Sequence, residues 1–169
     1  MRLPELMLGI KKNPMKNTNK IVWITGASSG IGAELAKIYS HRGIKLILSS
    51  RNVRALERVK SECYYPENIK ILPIDLNDFY AAPALVKKAY NIFGRIDILI
   101  NNAGVSQRSL IVDTQFDVLK KLIEINYLGT VALSRALLPF FLKQGFGHYV
   151  VVSSVMGKYG SPFRSGYSA

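Results

Sequence analysis

The apolar run Ile21–Thr25 passes straight into Gly26-Ala27-Ser28-Ser29-Gly30-Ile31-Gly32, and a helical pattern follows. Glycines at such a junction let the backbone turn tightly and approach a pyrophosphate, whose charge the amino end of the next helix favours. The same residues also read as plain turn chemistry. The spacing G-x-x-x-G-x-G rearranges the commoner dinucleotide pattern, and no Gly-Lys-Ser/Thr follows, so this is no P-loop. Further polar residues stand where strands or helices should end or kink. They are Asn101-Asn102-Ala103-Gly104, then Asn126, then Ser154, and Tyr167 thirteen residues after it.

Those residues need a scaffold, and the apolar pattern supplies one. Runs that read as buried strands cover Ile21–Thr25, Lys45–Ser50, Ile69–Asp75, Ile96–Asn101 and His148–Ser154. Helical segments begin near Gly30, Val53, Tyr80 and Gln115. In the last, Phe116, Leu119, Leu122, Ile123 and Tyr127 fall on one face, and Thr114 with Asp117 resembles a capping box. Strands alternating with helices predict an α/β fold, a doubly wound parallel sheet covered on both faces. The expected layout is a polar, basic, disordered tail at 1–19 and a Rossmann domain over 20–169, truncated after the fifth strand.

Composition narrows the classes. The 169 residues are 49% hydrophobic and 20% charged, which excludes disorder and collagen-like architecture. No apolar run approaches the roughly 18 residues of a membrane helix, and the amino terminus lacks a signal-peptide core. One cysteine, Cys63, excludes an internal disulfide framework, and His41 and His148 are too few and too distant for a zinc motif. A cytoplasmic setting without a membrane anchor or metal is the expectation. The net charge is +12, of which residues 1–19 contribute +3. A lysine-rich solvated surface explains that excess, because the basic residues do not interleave with aromatics as nucleic-acid binders require.

Taken in order, the glycine turn, Asn101–Gly104, Asn126, Ser154 and Tyr167 resemble the short-chain dehydrogenase/reductase family over residues 20–169. The stretches Val105–Leu110 and Ile123–Thr130 look like its dehydrogenase/reductase member 7 branch. The resemblance implies an enzyme that interconverts a secondary alcohol and a ketone by hydride transfer, a carbonyl or 3-oxoacyl reductase for example. It also implies a small-molecule substrate and a homo-oligomer. Gly26, Ser28, Ser29, Gly30, Ile31 and Gly32 would cradle the cofactor pyrophosphate. Asn102, Ala103 and Gly104 would line its ribose side. Asp75 and Leu76 match the position that meets the adenine, although Asp75 also reads as a turn cap.

Ser50 and Arg51 bear on cofactor choice. A carboxylate at the end of the second strand would accept the ribose hydroxyls of NAD and repel a 2′-phosphate. Here a small neutral Ser50 precedes a guanidinium suited to phosphate, so NADP (NADPH) is expected over NAD. Arg51 as a solvated loop cation is the plainer alternative. By resemblance Tyr167 is the proton donor, Ser154 orients the substrate oxygen, and Asn126 matches the proton-relay asparagine. A phenol with an ordinary pKa near 10 needs a positive neighbour to work at neutral pH. The family pattern Tyr-x-x-x-Lys puts that lysine two residues past Ala169. The 169-residue chain alone is therefore expected to be inactive, and its fifth strand to be a sticky apolar edge. The rival reading is a non-catalytic dinucleotide-binding or interaction module.

Overall fold

The computed structural model describes residues 19–169. The expected tail at 1–19 thus lies almost wholly outside the described residues. Five parallel strands form one sheet in the order β3-β2-β1-β4-β5. They are β1 (Ile21–Thr25), β2 (Lys45–Ser49), β3 (Ile69–Ile71), β4 (Ile98–Asn101) and β5 (His148–Val151). The first strand is central, with Val22 opposite Leu46 on one side and opposite Ile98 on the other. The chain steps outward from β1 through β2 to β3, then crosses back over the sheet to β4 on the other side of β1, so the strand order reverses between β1 and β4. A crevice therefore opens at the carboxyl ends of β1 and β4, where such sheets bind ligands.

Strand side chains alternate between two cores. Ile21, Trp23, Ile47 and Leu99 face one layer, which contains α3 (Ala82–Phe93) and α5 (Thr130–Gln144). Val22, Ile24, Leu46, Leu48 and Ile100 face the other, covered by α1 (Gly30–His41) and α2 (Val53–Ser61). Trp23 is fully buried, and its indole N–H donates to Ser49 Oγ at 2.8 Å, so the polar atom is satisfied inside the core. At the opposite end of the sheet from the crevice, buried Asp97 accepts from the Ile21 amide and faces Arg95.

Three of the expected strands end early or start late. The regular strand β3 stops at Ile71, although Leu72 and Ile74 on either side of Pro73 still donate to the Leu48 and Ser50 carbonyls. The fourth strand starts at Ile98 rather than Ile96. The fifth ends at Val151, and Ser154 lies three residues beyond it. It is also an edge strand with exposed ends rather than a buried one.

The long helix departs further from expectation. It runs as α4 (Phe116–Leu122), a π-helical stretch Ile123–Gly129, and then α5. Its buried line is Leu122, Ile125, Gly129, Leu133, Leu137 and Phe141, at helical spacings of three and four. Phe116, Ile123 and Tyr127, expected on the core face, are exposed. Thr114 does not cap: its hydroxyl donates to the Leu110 carbonyl, and Gln115 occupies the cap position without a side-chain bond. The uninterrupted run Phe116–Gln144 is also long and apolar enough to cross a membrane by length and composition, contrary to the sequence expectation. In this fold its inward line packs on the sheet.

Candidate active site

The glycine turn is shaped by close approach. Gly26 has φ +65°, and a Cβ there would lie 2.7 Å from Ala103 Cα. A Cβ on Gly32 would lie 2.5 Å from the Gly26 carbonyl oxygen and 2.6 Å from Asn102 Nδ2. Two of the three glycines thus let the β1 turn, the start of α1 and the end of β4 meet. Asn102 fastens that junction by donating from Nδ2 to the carbonyls of Thr25 and Gly26, at 3.0 and 3.2 Å. Thr25 Oγ1 accepts from the amides of Asn102 and Ala103, both at 3.1 Å.

A cavity of about 430 Å³ opens over this junction. Of the expected cofactor residues, Gly26, Ser28, Ser29, Ile31, Ser50, Arg51, Asp75, Leu76, Asn102, Ala103 and Gly104 line it. Gly30 and Gly32 do not; they shape the turn beneath it. Asn52, Ile74, Val105 and Ile125 also line the cavity, and sequence reasoning missed them. Ile125 lies off the helix face that the apolar pattern suggested, and Ile74 looked like core. Ser29 occupies the N-cap of α1 without a side-chain bond, and the first turn carries no acidic residue. The helix dipole and free N–H groups therefore face the cavity uncompensated.

The far end of this cavity has no carboxylate reader at the end of β2. Ser50 Oγ accepts from the Asn52 amide at 3.1 Å, and Asn52 in turn caps α2 by accepting from Ala55. Arg51 is exposed and pairs with no carboxylate among the described residues. Asp75 serves as a turn cap, accepting from the Asn77 amide at 3.0 Å through Oδ1, and it lines the cavity as well. The turn-cap reading of that residue is thus observed.

A second cavity of about 510 Å³ shares Ile31, Asn102, Ala103, Gly104 and Val105 with the first, so the two form one groove. Asn126, Ser154 and Tyr167 all line it, from three separate elements. Asn126 lies on the π stretch, and its amide pairs with the Val105 backbone. Oδ1 accepts from Val105 N at 2.8 Å, and Nδ2 donates to Val105 O at 2.9 Å. In this structure its side chain therefore holds the loop after β4. Ser154 Oγ accepts from Met156 N at 3.2 Å, which leaves its hydroxyl proton free to donate. Tyr167 stands on the short α6 (Ser165–Ser168), half-buried.

Tyr149 on β5 lines neither cavity. Tyr149 donates to the Ser134 carbonyl at 2.8 Å, and burial pushes its phenol pKa up. Cys63 lies in the other core layer, where burial pushes its thiol up as well. Asn101 and Thr130 join the second cavity without having been expected there. Asn101 Oδ1 is buried with no partner, a polar acceptor at the wall of the groove. Among the described residues no cluster of three metal-ligating side chains occurs.

Residues 20–169 match the family model described as short chain dehydrogenase. Human "Dehydrogenase/reductase SDR family member 7" is 49% identical over 157 residues, covering 90% of this chain and 46% of its own length. The Drosophila melanogaster "Dehydrogenase/reductase SDR family protein 7-like" is 42% identical, covering 89% and 48%. Among solved structures, a short-chain dehydrogenase from Streptomyces avermitilis superposes with TM-score 0.82 at 31% identity, covering 91% of this chain and 56% of that one. "ElxO with NADP Bound" follows with TM-score 0.81 at 31% identity, covering 88% and 61%. The chain spans about half the length of the curated relatives it matches. The five-stranded parallel sheet agrees with these likenesses in fold, and the chain belongs to the short-chain dehydrogenase family.

Proposed function

We propose that this chain forms the cofactor-binding and proton-transfer half of an NADP(H)-dependent oxidoreductase that interconverts a secondary alcohol and a ketone. One observation carries the reading. A single groove runs from an unpaired Arg51, past the uncompensated amino end of α1, to a cavity that Ser154 and Tyr167 share. The residues present fit the cofactor. Gly26 and Gly32 remove the bulk that would close the turn, the first turn of α1 offers N–H groups to a pyrophosphate, and Arg51 suits a 2′-phosphate. Asp75 and Leu76 border the adenine end, and Asn102 to Gly104 the ribose side. Two ElxO structures similar in fold, one with NADP bound and one with NADPH bound, support this choice of cofactor.

When bound, the nicotinamide supplies a hydride to the substrate carbon. The chain's own part is positioning and proton transfer. Ser154, with its proton free, donates to the substrate oxygen and aligns it. Tyr167 passes its phenolic proton to the same oxygen during reduction and takes it back during oxidation. Asn126 holds Val105 and so fixes the wall between the two cavities. The complete protein is proposed to act as a homo-oligomer on a small ketone or alcohol, in the cytoplasm.

The test is NADPH absorbance loss against a panel of ketones and 3-oxoacyl thioesters, with this chain carried on to the length of its relatives. Tyr167→Phe should lower turnover by about a thousandfold while NADPH affinity stays near that of the parent. Ser154→Ala should cost less, because it removes alignment and not the proton. Full turnover by Tyr167→Phe would overturn the assignment.

A further inference from the structure

The turn that carries Tyr167 is held from outside the groove. Phe163 has φ +65°, the one positive φ at a non-glycine residue among those described. A side chain with a Cβ occupies that region only where neighbours hold it there. The holding contacts are visible. The Phe163 carbonyl accepts from the Ser109 amide at 2.9 Å. The next residue, Arg164, donates from Nη1 to Ser106 Oγ at 2.7 Å. Gly166 lies against α4, where a Cβ would come 2.3 Å from Leu119 Cδ2 and 3.2 Å from Leu122 Cδ1. Three contacts thus fasten residues 163–166 to the loop after β4 and to the helix that follows it.

Arg164 is the link between this clamp and the site. Ser106 lines the cavity that Ser154 and Tyr167 share, and the Arg164 guanidinium carbon lies 6.0 Å from the centroid of the Tyr167 ring. That is within reach of a cation–π contact. No carboxylate among the described residues pairs with this guanidinium. Its partners are a neutral hydroxyl on the cavity wall and the face of the tyrosine ring. A planar, forked cation is suited to span two such partners, whereas a lysine ammonium offers only a point charge.

We propose that Arg164 is a positioning residue for Tyr167: by bridging Ser106 to the ring, it fixes where the phenolic hydroxyl points in the cavity. The inference rests on the reading of Tyr167 as proton donor. The strained Phe163 fits it, since the backbone must reverse there to bring both Arg164 and Tyr167 against the loop. Misplacement by about 1 Å can cost roughly a hundredfold in rate, so loss of one tether should be visible.

The experiment uses the chain labelled with 3-fluorotyrosine, with Tyr167→Phe assigning the Tyr167 fluorine signal. Arg164→Met and Ser106→Ala should each shift and broaden that signal and leave the other tyrosine signals in place. Arg164→Lys should restore it in part. NADPH affinity, titrated on the same samples, should stay within about threefold across the Arg164 variants. In the chain carried on to the length of its relatives, Arg164→Met should lower kcat by about tenfold or more, with KM for NADPH unchanged. A Tyr167 signal indifferent to both Arg164→Met and Ser106→Ala would overturn the proposal. Absence of NADPH binding by the parent would overturn the proposed function, while the fluorine signal would still decide the tether.

Discussion

Replacing Gly26 by alanine separates a packed junction from an ordinary turn. Two costs add at this position. An L-residue held in the left-handed region loses about 1–2 kcal/mol. The new Cβ would also lie 2.7 Å from Ala103 Cα and 3.0 Å from its backbone nitrogen. Neither neighbour can rotate away, because the Ala103 amide is tied to Thr25 Oγ1. Overpacking of that kind costs about 1–3 kcal/mol, so the total is about 2–5 kcal/mol. At roughly 2–4 °C per kcal/mol for a chain of this size, the melting temperature should fall by about 10 °C. Gly30→Ala is the internal control. Gly30 has φ +55°, but nothing lies within 4 Å of a Cβ there, so only the conformational cost of about 1–2 kcal/mol applies. Paired thermal melts and NADPH titrations decide the matter. Gly26→Ala should lose both stability and cofactor affinity, and Gly30→Ala should stay within about 5 °C of the parent. Equal melting losses for the two variants would refute the reasoning from close approach.

Further expectations follow from the same geometry. Thr25→Val keeps shape but strands the Ala103 amide, while the Asn102 amide keeps the Ile100 carbonyl, so it should destabilise by about 1–3 kcal/mol in urea melts and weaken NADPH binding. The Lys37–Glu62 pair, 2.8 Å apart and exposed, should matter only over a pH window. Hydrogen bonding and charge from Lys37 hold the Glu62 pKa below 4.5, so its contribution is present above that value and fades as pH falls through the lowered one. Glu62, ahead of Glu34, holds the Lys37 pKa above 10.5, so its contribution is complete below that value and fades as pH rises through the raised one. The melting difference between parent and Glu62→Gln should therefore be small at neutral pH, shrink with salt, and vanish on acidification below the lowered Glu62 pKa. A difference that grows on acidification would contradict that sign.

The central sheet was legible because its strands are apolar nearly throughout and its turns carry glycine and asparagine at fixed places. The groove was legible for the same reason, since the motif residues at strand ends converge wherever a parallel sheet reverses direction. Misreadings arose where the hydrophobic pattern did not mark the boundary or the face. β3 stops at Ile71 although the apolar run and its bonds toward β2 continue to Ile74. On the long helix the buried line through Leu122, Ile125 and Gly129 keeps an ordinary helical spacing of three and four, but it is not the face through Phe116, Ile123 and Tyr127, which is exposed. Asn126 lines the groove with Ser154 and Tyr167, and its pairing with the Val105 backbone had no local signal in the sequence. The tether through Arg164 and Ser106 joins residues 58 apart in sequence and left no local signal.

The most direct test of the account is a paired fluorescence titration of this chain with NADPH and NADH, repeated with Arg51→Asp. Ser50 and an unpaired Arg51 stand where an NAD-selective site needs a carboxylate, so NADPH should bind at least about tenfold tighter. Arg51→Asp should erase or reverse that preference while leaving the melting temperature near that of the parent, because Arg51 is exposed and makes no ion pair among the described residues. Equal affinity of the parent chain for the two nucleotides would contradict the account.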